Sequence, residues 1–279
     1  MKTEPRAKEL NFLQEAIRYL AFNLPNNKFG KKVASLLLRI ARGSRQNSYY
    51  VDIFENQRAV LHPFDNISEK RVFITPQLWE PTERKALKQI IESYANQKIT
   101  FFDIGCNAGL YSLYVNSICL DQSIDLEVVA VEPDPYMRKR LEQNFSLSKL
   151  NSTVLPWALS DKSSDLILNI NHKNRGQNSI IESTDSSEKI TVTSRKLIQL
   201  LDHVSIFSPD VMKIDIEGAE HEVFAPFLSE TPRERWPEHI LMEGTVEGNN
   251  SKGVQLCVAS GYTVVVATSS NTLLKLPSP

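Results

Sequence analysis

The residues best placed to do chemistry lie in one short run, FFDIGCNAGL at positions 101–110, which carries Asp103, Gly105, Asn107 and Gly109. An apolar segment enters a glycine turn and a helix-compatible segment leaves it. That is the strand–turn–helix unit at whose strand end α/β folds bind ligands. A dinucleotide fingerprint starting at Gly105 would need glycines at 107 and 110, where Asn107 and Leu110 stand instead. Asp103 narrows the choice further. A carboxylate two residues before the turn repels a pyrophosphate but holds an ammonium group through a charge-assisted hydrogen bond. A cofactor with an amino-acid head and a phosphate-free nucleoside fits both constraints, and S-adenosylmethionine is that molecule.

A second apolar run, 126–131, ends in Glu132-Pro133-Asp134. An acid at the end of the second strand is placed to accept hydrogen bonds from both ribose hydroxyls, and the spacing from the first glycine suits one βαβ unit of about 30 residues. Ala158, Leu159 and Ser160, after a third strand, are expected along an adenine edge. Asp215, Glu217 and Glu243 fall at the carboxyl ends of later strands, on the same rim as Asp103 and Glu132. Unpaired carboxylates this close raise one another's pKa. Such a cluster implies a cation, a proton-transfer role or hydrogen bonds to substrate hydroxyls. One variant has Asp215 and Glu243 holding Mg²⁺ to orient and acidify an acceptor hydroxyl; the bland alternative makes Asp215 and Glu217 helix N-terminal acids. Lys213 alternates with Asp215 and offers an acid below the rim a partner. Glu220 and His221 read as helix residues, Cys106 as a small packing residue, and His203, in a loop, as a further base candidate.

These residues must be held by a framework. Segments 10–24 and 31–42 have helical apolar spacing, the first through Leu10, Leu13, Ile17, Leu20 and Leu24, the second through Val33, Leu36, Leu37 and Ile40. Between Asn26 and Val51 there are six Lys or Arg and no acid. That pattern fits peripheral membrane contact by residues 28–45, an anionic partner, or a helix packed on the core or across a homodimer with its basic face in water. Residues 49–61 alternate as a hairpin, 71–74 as a further short strand, and 81–94 as a helix opened by Pro81. After Glu132 come a helix (136–150), a strand (153–158) and a polar excursion (161–189). The excursion is either a hairpin whose tip places His172, Arg175 and Asn178 on the acceptor, or a surface loop. A helix begins at 197, strands follow at 210–216 and 239–243, and a hairpin (262–268, 272–276) closes the chain. This alternation gives a doubly wound, mostly parallel α/β sheet with one antiparallel strand. Residues 1–75 are expected to form an accessory cap of helices and a β-hairpin, and 76–279 the cofactor-binding domain.

Composition narrows the partners. With 32 Lys and Arg against 33 Asp and Glu in 279 residues, the balance argues against nucleic acid. Three cysteines without metal or disulfide spacing and an N-terminus without a signal h-region lead to a cytoplasmic expectation. No uncharged apolar run of about 18 residues is present to span a bilayer.

With Asp103 to Gly109, Glu132-Pro133-Asp134 and Lys213-Ile214-Asp215-Ile216-Glu217-Gly218-Ala219-Glu220 in order, the chain resembles the FkbM family of S-adenosylmethionine-dependent methyltransferases. The likeness runs from Trp79-Glu80-Pro81 to the terminal hairpin and implies a class I, Rossmann-like, seven-stranded sheet, with Glu80 among the cofactor residues. It also implies methyl transfer to a hydroxyl of a sugar or natural product, a small-molecule or glycan acceptor. Cys106 departs from the family's usual Ala, and the helices before Tyr49 lie outside the shared region. Two alternatives stay open: N-methylation of an amine or peptide, and a non-catalytic module that binds a partner through its basic helices.

Overall fold

The computed structural model describes residues 7–44, 47–171, 188–247 and 251–278. Two short helices come first, α1 (Phe12–Phe22) and α2 (Lys28–Ala41). Each starts at an asparagine whose side chain accepts an otherwise orphaned amide: Asn11 from Gln14 at 2.9 Å, and Asn27 from Gly30 at 2.9 Å. The hairpin β1 (Tyr49–Ile53) and β2 (Gln57–Leu61) follows. Then comes α3 (Ile67–Ile74), which takes up the 71–74 segment expected to be a strand. Asn66 caps α3 by accepting from the Glu69 amide at 3.0 Å, and Val72, Phe73 and Ile74 are buried on it. A start signal outside the segment overrode its β-branched content.

Helix α4 (Pro81–Glu92) leads into the core, which runs β3 (Lys98–Ile104), α5 (Leu110–Gln122), β4 (Asp125–Val131), α6 (Pro135–Leu147) and β5 (Ser152–Leu155). The expected strand 153–158 breaks at Pro156, which cannot donate to a ladder. Beyond it β6 (Trp157–Leu159) joins β7 (Asp165–Ile170) and β8 (Glu188–Arg195) in a separate three-stranded sheet ordered β6-β8-β7. The antiparallel pairing of β7 with β8 gives the excursion its hairpin arms. The chain ends with α7 (Leu197–Val204), β9 (Val211–Ile214), α8 (Glu220–Glu230), β10 (His239–Glu243), α9 (Ser251–Ala259), β11 (Thr263–Ala267) and β12 (Asn271–Lys275). The main sheet has seven strands in the order β11-β12-β10-β9-β3-β4-β5. It is parallel except for β12, which pairs antiparallel with both neighbours. The fold is therefore the doubly wound α/β sheet that the alternation predicts.

The elements before the core are stitched to it by buried polar contacts. One apolar cluster runs from Ile17 and Leu38 through Phe73 and Trp79 to Phe101 and Leu141. Asn144 of α6, fully buried, accepts from the Val60 amide of β2 at 2.8 Å and donates to the Ala108 carbonyl at 3.0 Å. Arg140 of α6 reaches Asp65 at 2.8 Å and buried Glu69 at 3.3 Å. The Asn144→Ala variant leaves a buried N–H and C=O unpaired. It is expected to lose about 2–4 kcal/mol of stability in denaturant titrations.

Candidate functional site

Strand β3 lies between β9 and β4, and the chain leaves its carboxyl end beside the end of β9, at the point where the winding reverses. Backbone contact there is very close. Gly105 has φ +70°, and a Cβ on it would stand 2.0 Å from the Asp215 carbonyl oxygen. The Asp215 amide in turn donates to the Ile104 carbonyl at 3.1 Å. Only glycine lets the two loops meet. Gly109, also at positive φ (+78°), has another duty. A Cβ there would lie 2.4 Å from Leu141 Cδ1 and 2.5 Å from Phe145 Cε1. Expected among the cofactor residues, it instead lets α5 start against α6.

Around this turn the acids divide by environment. Glu132 takes amides on both oxygens, from Asn107 at 2.8 Å and from Asp134 at 2.9 Å. Burial nonetheless pushes its carboxyl up to about 7, against the lowering effect of those amides. Asp103 accepts from the Ser112 amide at 3.2 Å and hydroxyl at 2.6 Å through Oδ2, while its buried Oδ1 has no hydrogen-bond partner. Burial raises its pKa too, opposed by Lys213. Asp215, expected as one of three unpaired acids, is bonded by Lys213 Nζ at 3.0 Å. Burial disfavours the Lys213 charge, but Asp215 and Asp103 outweigh it and raise its pKa. Glu217 holds a left-handed backbone (φ 57°), and burial followed by the charges of Asp215 and Glu243 pushes it up to about 9. Glu80, also left-handed (φ 43°), accepts from the Tyr111 hydroxyl, and burial raises its carboxyl.

Two adjoining hollows share Gly105, Asn107 and Asp215. Glu132, Pro133, Trp157, Ala158, Leu159 and Glu217 line one, and Glu80, Asp103, Tyr111 and Lys213 the other. Ser160 is elsewhere: its hydroxyl donates to Asp161 at 2.9 Å and it borders a separate hollow. Trp157 and Asn66 escaped the sequence reading. Trp157 lines the same hollow as Glu132, with the Arg195 guanidinium over its ring at 5.6 Å. Asn66 donates to Asn107 Oδ1 at 2.6 Å and so ties α3 to the glycine turn. A lone aromatic after a proline was the only hint of the first, and a helix cap gives no hint of the second. His203 lies on α7 rather than in a loop, with its ring 4.7 Å from that of Trp157. Glu220 accepts from the Ile216 amide at 2.9 Å, a helix-start contact, and His221 borders a different hollow. Burial pushes the Cys106 thiol well up, as suits a packing residue. His172, Arg175 and Asn178 lie outside the described residues.

These residues fit S-adenosylmethionine. The orphaned Asp103 Oδ1 suits its ammonium group, Glu132 keeps lone pairs for ribose hydroxyls, and Trp157, Ala158 and Leu159 give apolar walls to a base. The acid surplus suits a sulfonium. A divalent ion on Asp215 and Glu243 fits poorly, because the Lys213 ammonium already occupies Asp215. Among the described residues no group of three or more His, Cys, Asp or Glu is arranged to hold a metal.

Ribose hydroxyls at this position would donate to the ionised form of Glu132, so affinity for S-adenosylhomocysteine, measured by calorimetry, is expected to strengthen as pH rises through about 7 and then level off. Glu132→Gln is expected to flatten that dependence and to weaken binding about tenfold or more. Unchanged affinity would remove Glu132 from the site.

The model of the methyltransferase FkbM domain matches residues 103–248, just over half of the chain. No curated protein sequence matches significantly. Among solved structures, the chain is similar to a precorrin-6y C5,15-methyltransferase from Geobacter metallireducens GS-15, at 13% identity over 69% of this chain and 88% of that one (TM-score 0.40). It is similar also to an S-adenosylmethionine-dependent methyltransferase from Agrobacterium tumefaciens, at 10% identity over 82% and 69% (TM-score 0.46). A third is a tRNA (uracil-54, C5)-methyltransferase from Pyrococcus abyssi in complex with S-adenosyl-L-homocysteine, at 10% over 81% and 43% (TM-score 0.43). Likenesses this distant decide nothing about the acceptor. The chain belongs to the FkbM methyltransferase family, with S-adenosylmethionine as its methyl donor.

Proposed function

We propose that this methyltransferase transfers the methyl group to oxygen, on a hydroxyl of a sugar or natural product. S-adenosylmethionine supplies an electrophilic methyl on a sulfonium, and the chain must orient the acceptor in line with it. The observation that carries the reading is the carboxyl of Glu217, held up to about 9 beside Asp215 and Glu243. A hydroxyl must shed its proton as it attacks, whereas a neutral amine attacks through a free lone pair. A carboxylate of raised basicity on the rim serves the first need and is superfluous to the second. Asp215, paired with Lys213, is the weaker candidate for that proton.

Room for an acceptor lies next door. A cavity of about 530 Å³ is bordered by Lys31 and Ser35 of α2, Arg71 of α3, Glu80, and Ser270 of the β11–β12 turn. Glu80 borders both this cavity and the Asp103 hollow, and Asp215 borders both that hollow and the one Glu217 lines, so an acceptor would have to reach past Glu80 and Asp215 to bring a hydroxyl to Glu217. Hydroxyl and charged groups on these walls favour an oxygen-rich acceptor.

Glu217→Gln is expected to lower kcat roughly a hundredfold with little change in S-adenosylhomocysteine affinity. In the unaltered enzyme kcat/KM for the acceptor should rise with pH to an inflection at or below about 9, because the nearby sulfonium favours the ionised carboxylate. Labelled methyl donor offered with a panel of hydroxyl and amine acceptors should mark hydroxyls; label on amines alone would overturn the assignment to oxygen.

A further inference from the structure

Of the fifteen large apolar side chains exposed among the described residues, eight lie between Phe12 and Ile40. Both helices of this hairpin bury few large apolar residues, only Ile17 on α1 and Leu38 on α2. The buried positions are Gln14, Ile17 and Ala21 on α1, and Gly30, Ala34, Leu38 and Ala41 on α2. The apolar spacing read from the sequence is therefore only partly used by the core, which takes Ile17 and packs against Leu10, Leu24 and Leu37. Leu13 and Leu20 are exposed on α1, and Leu36 and Ile40 on α2.

On α2 the exposed apolar residues, with half-buried Val33, are ordered. Phe29, Val33, Leu36 and Ile40 follow steps of four, three and four, one stripe along a helix; Phe29, Leu36 and Ile40 are 69%, 59% and 56% exposed. Lys28, Lys32 and Arg39, all exposed, each precede a stripe residue and so form a parallel basic row about 100° round the helix. Among the described residues none of the three makes an ion pair, and no acid occurs from Asn26 to Val51. On α1, Phe12 and Tyr19 lie opposite the buried face, and the exposed Leu13 and Leu20 lie about 100° round the helix from them.

We propose that the α1–α2 hairpin is a docking surface for an anionic lipid bilayer, seating its apolar stripes among the headgroups with the basic row against lipid phosphates. An exposed apolar stripe beside a row of cations is the signature of a helix that lies in the interface plane, and lysine and arginine stems reach outward to place charge at headgroup level. A second copy of the chain is a poor occupant, because a two-fold contact along α2 would set the basic rows together, and Glu15 of α1 is the one acid on the two helices. No described helix is long and apolar enough to cross a membrane, so the contact is peripheral. The inference is independent of the acceptor's identity.

Flotation of the full-length chain with vesicles tests it. The protein should float with phosphatidylcholine vesicles containing phosphatidylglycerol and stay behind with phosphatidylcholine alone. Flotation should be lost in about 1 M salt, where the Debye length is about 3 Å. Replacing Lys28, Lys32 and Arg39 together by Glu should lower partitioning roughly a hundredfold or more, and Leu36→Glu with Ile40→Glu should abolish it. Both variants should keep the melting temperature and S-adenosylhomocysteine affinity of the unaltered chain, since all five side chains are exposed. Failure of the folded, cofactor-binding chain to float with anionic vesicles would overturn the proposal. So would flotation undiminished in both variants, or a solution dimer that Leu36→Glu with Ile40→Glu dissociates while the vesicles bind nothing.

Discussion

The site depends on the approach of two backbone segments. The Gly105 Cα and the Asp215 carbonyl come so near that a single added carbon would overlap the oxygen. This contact brings the end of β3 against the end of β9 and sets Asp103 in register with Lys213 across the two strands. Lys213 then reaches forward to Asp215, so one ammonium serves acids on both strands. On the other flank the same turn hands the Asn107 amide to Glu132 and the Gly105 and Cys106 amides to the Val131 carbonyl. A side chain at position 105 would part the loops and disturb every one of these bonds.

Among the described residues, the hollows the loops enclose are lined by more acids than cations. Glu80, Asp103, Glu132 and Glu217 all have raised pKa values, with burial the largest cause in each. Lys213 is the cation common to the surroundings of Glu80, Asp103 and Glu217, and it is committed to Asp215. Burying acids without enough counter-charge is costly, and folds retain such an arrangement where a ligand completes it. A donor bearing both an ammonium and a sulfonium brings the missing charge, which is why one donor can satisfy groups on several strand ends.

Much of this was legible in sequence. Asp103, Gly105 and Glu132 could be placed because each occupies a strand end whose position follows from apolar periodicity, and periodicity survives folding. The misplacements share a different character. Gly109 reads like a second ligand glycine, yet its reason is the bulk of Leu141 and Phe145 across an α5–α6 crossing that no local pattern reveals. Ser160 lies one residue beyond Leu159, where the strand's alternation turns it to another hollow. The apolar face of α2 was misjudged because periodicity reports that a stripe exists, not what covers it; the core took Ala34 and Leu38 and left Leu36 and Ile40 outside. Trp157 and Asn66 depend on packing between distant segments, which spacing cannot encode.

The N-terminal elements serve the site from one side only. Through Asn66 and Asn107, α3 touches the glycine turn, and α2 borders the acceptor cavity with Lys31 and Ser35. Gln14 of α1 donates to the Ala41 carbonyl of α2 at 2.7 Å, and Arg18 donates to the Asp52 carbonyl of β1 at 3.0 Å. The buried Gln14 bond rigidifies the hairpin, because breaking it leaves a desolvated partner behind. A hairpin that leaves eight large apolar side chains outside is not what core packing alone would select. Folding stability does not explain the outward Phe29, Leu36 and Ile40, since exposing them forgoes burial worth about 1.5–3 kcal/mol for each. Their exposure fits instead the docking surface proposed for this hairpin, on a helix whose other side borders the cavity next to the site.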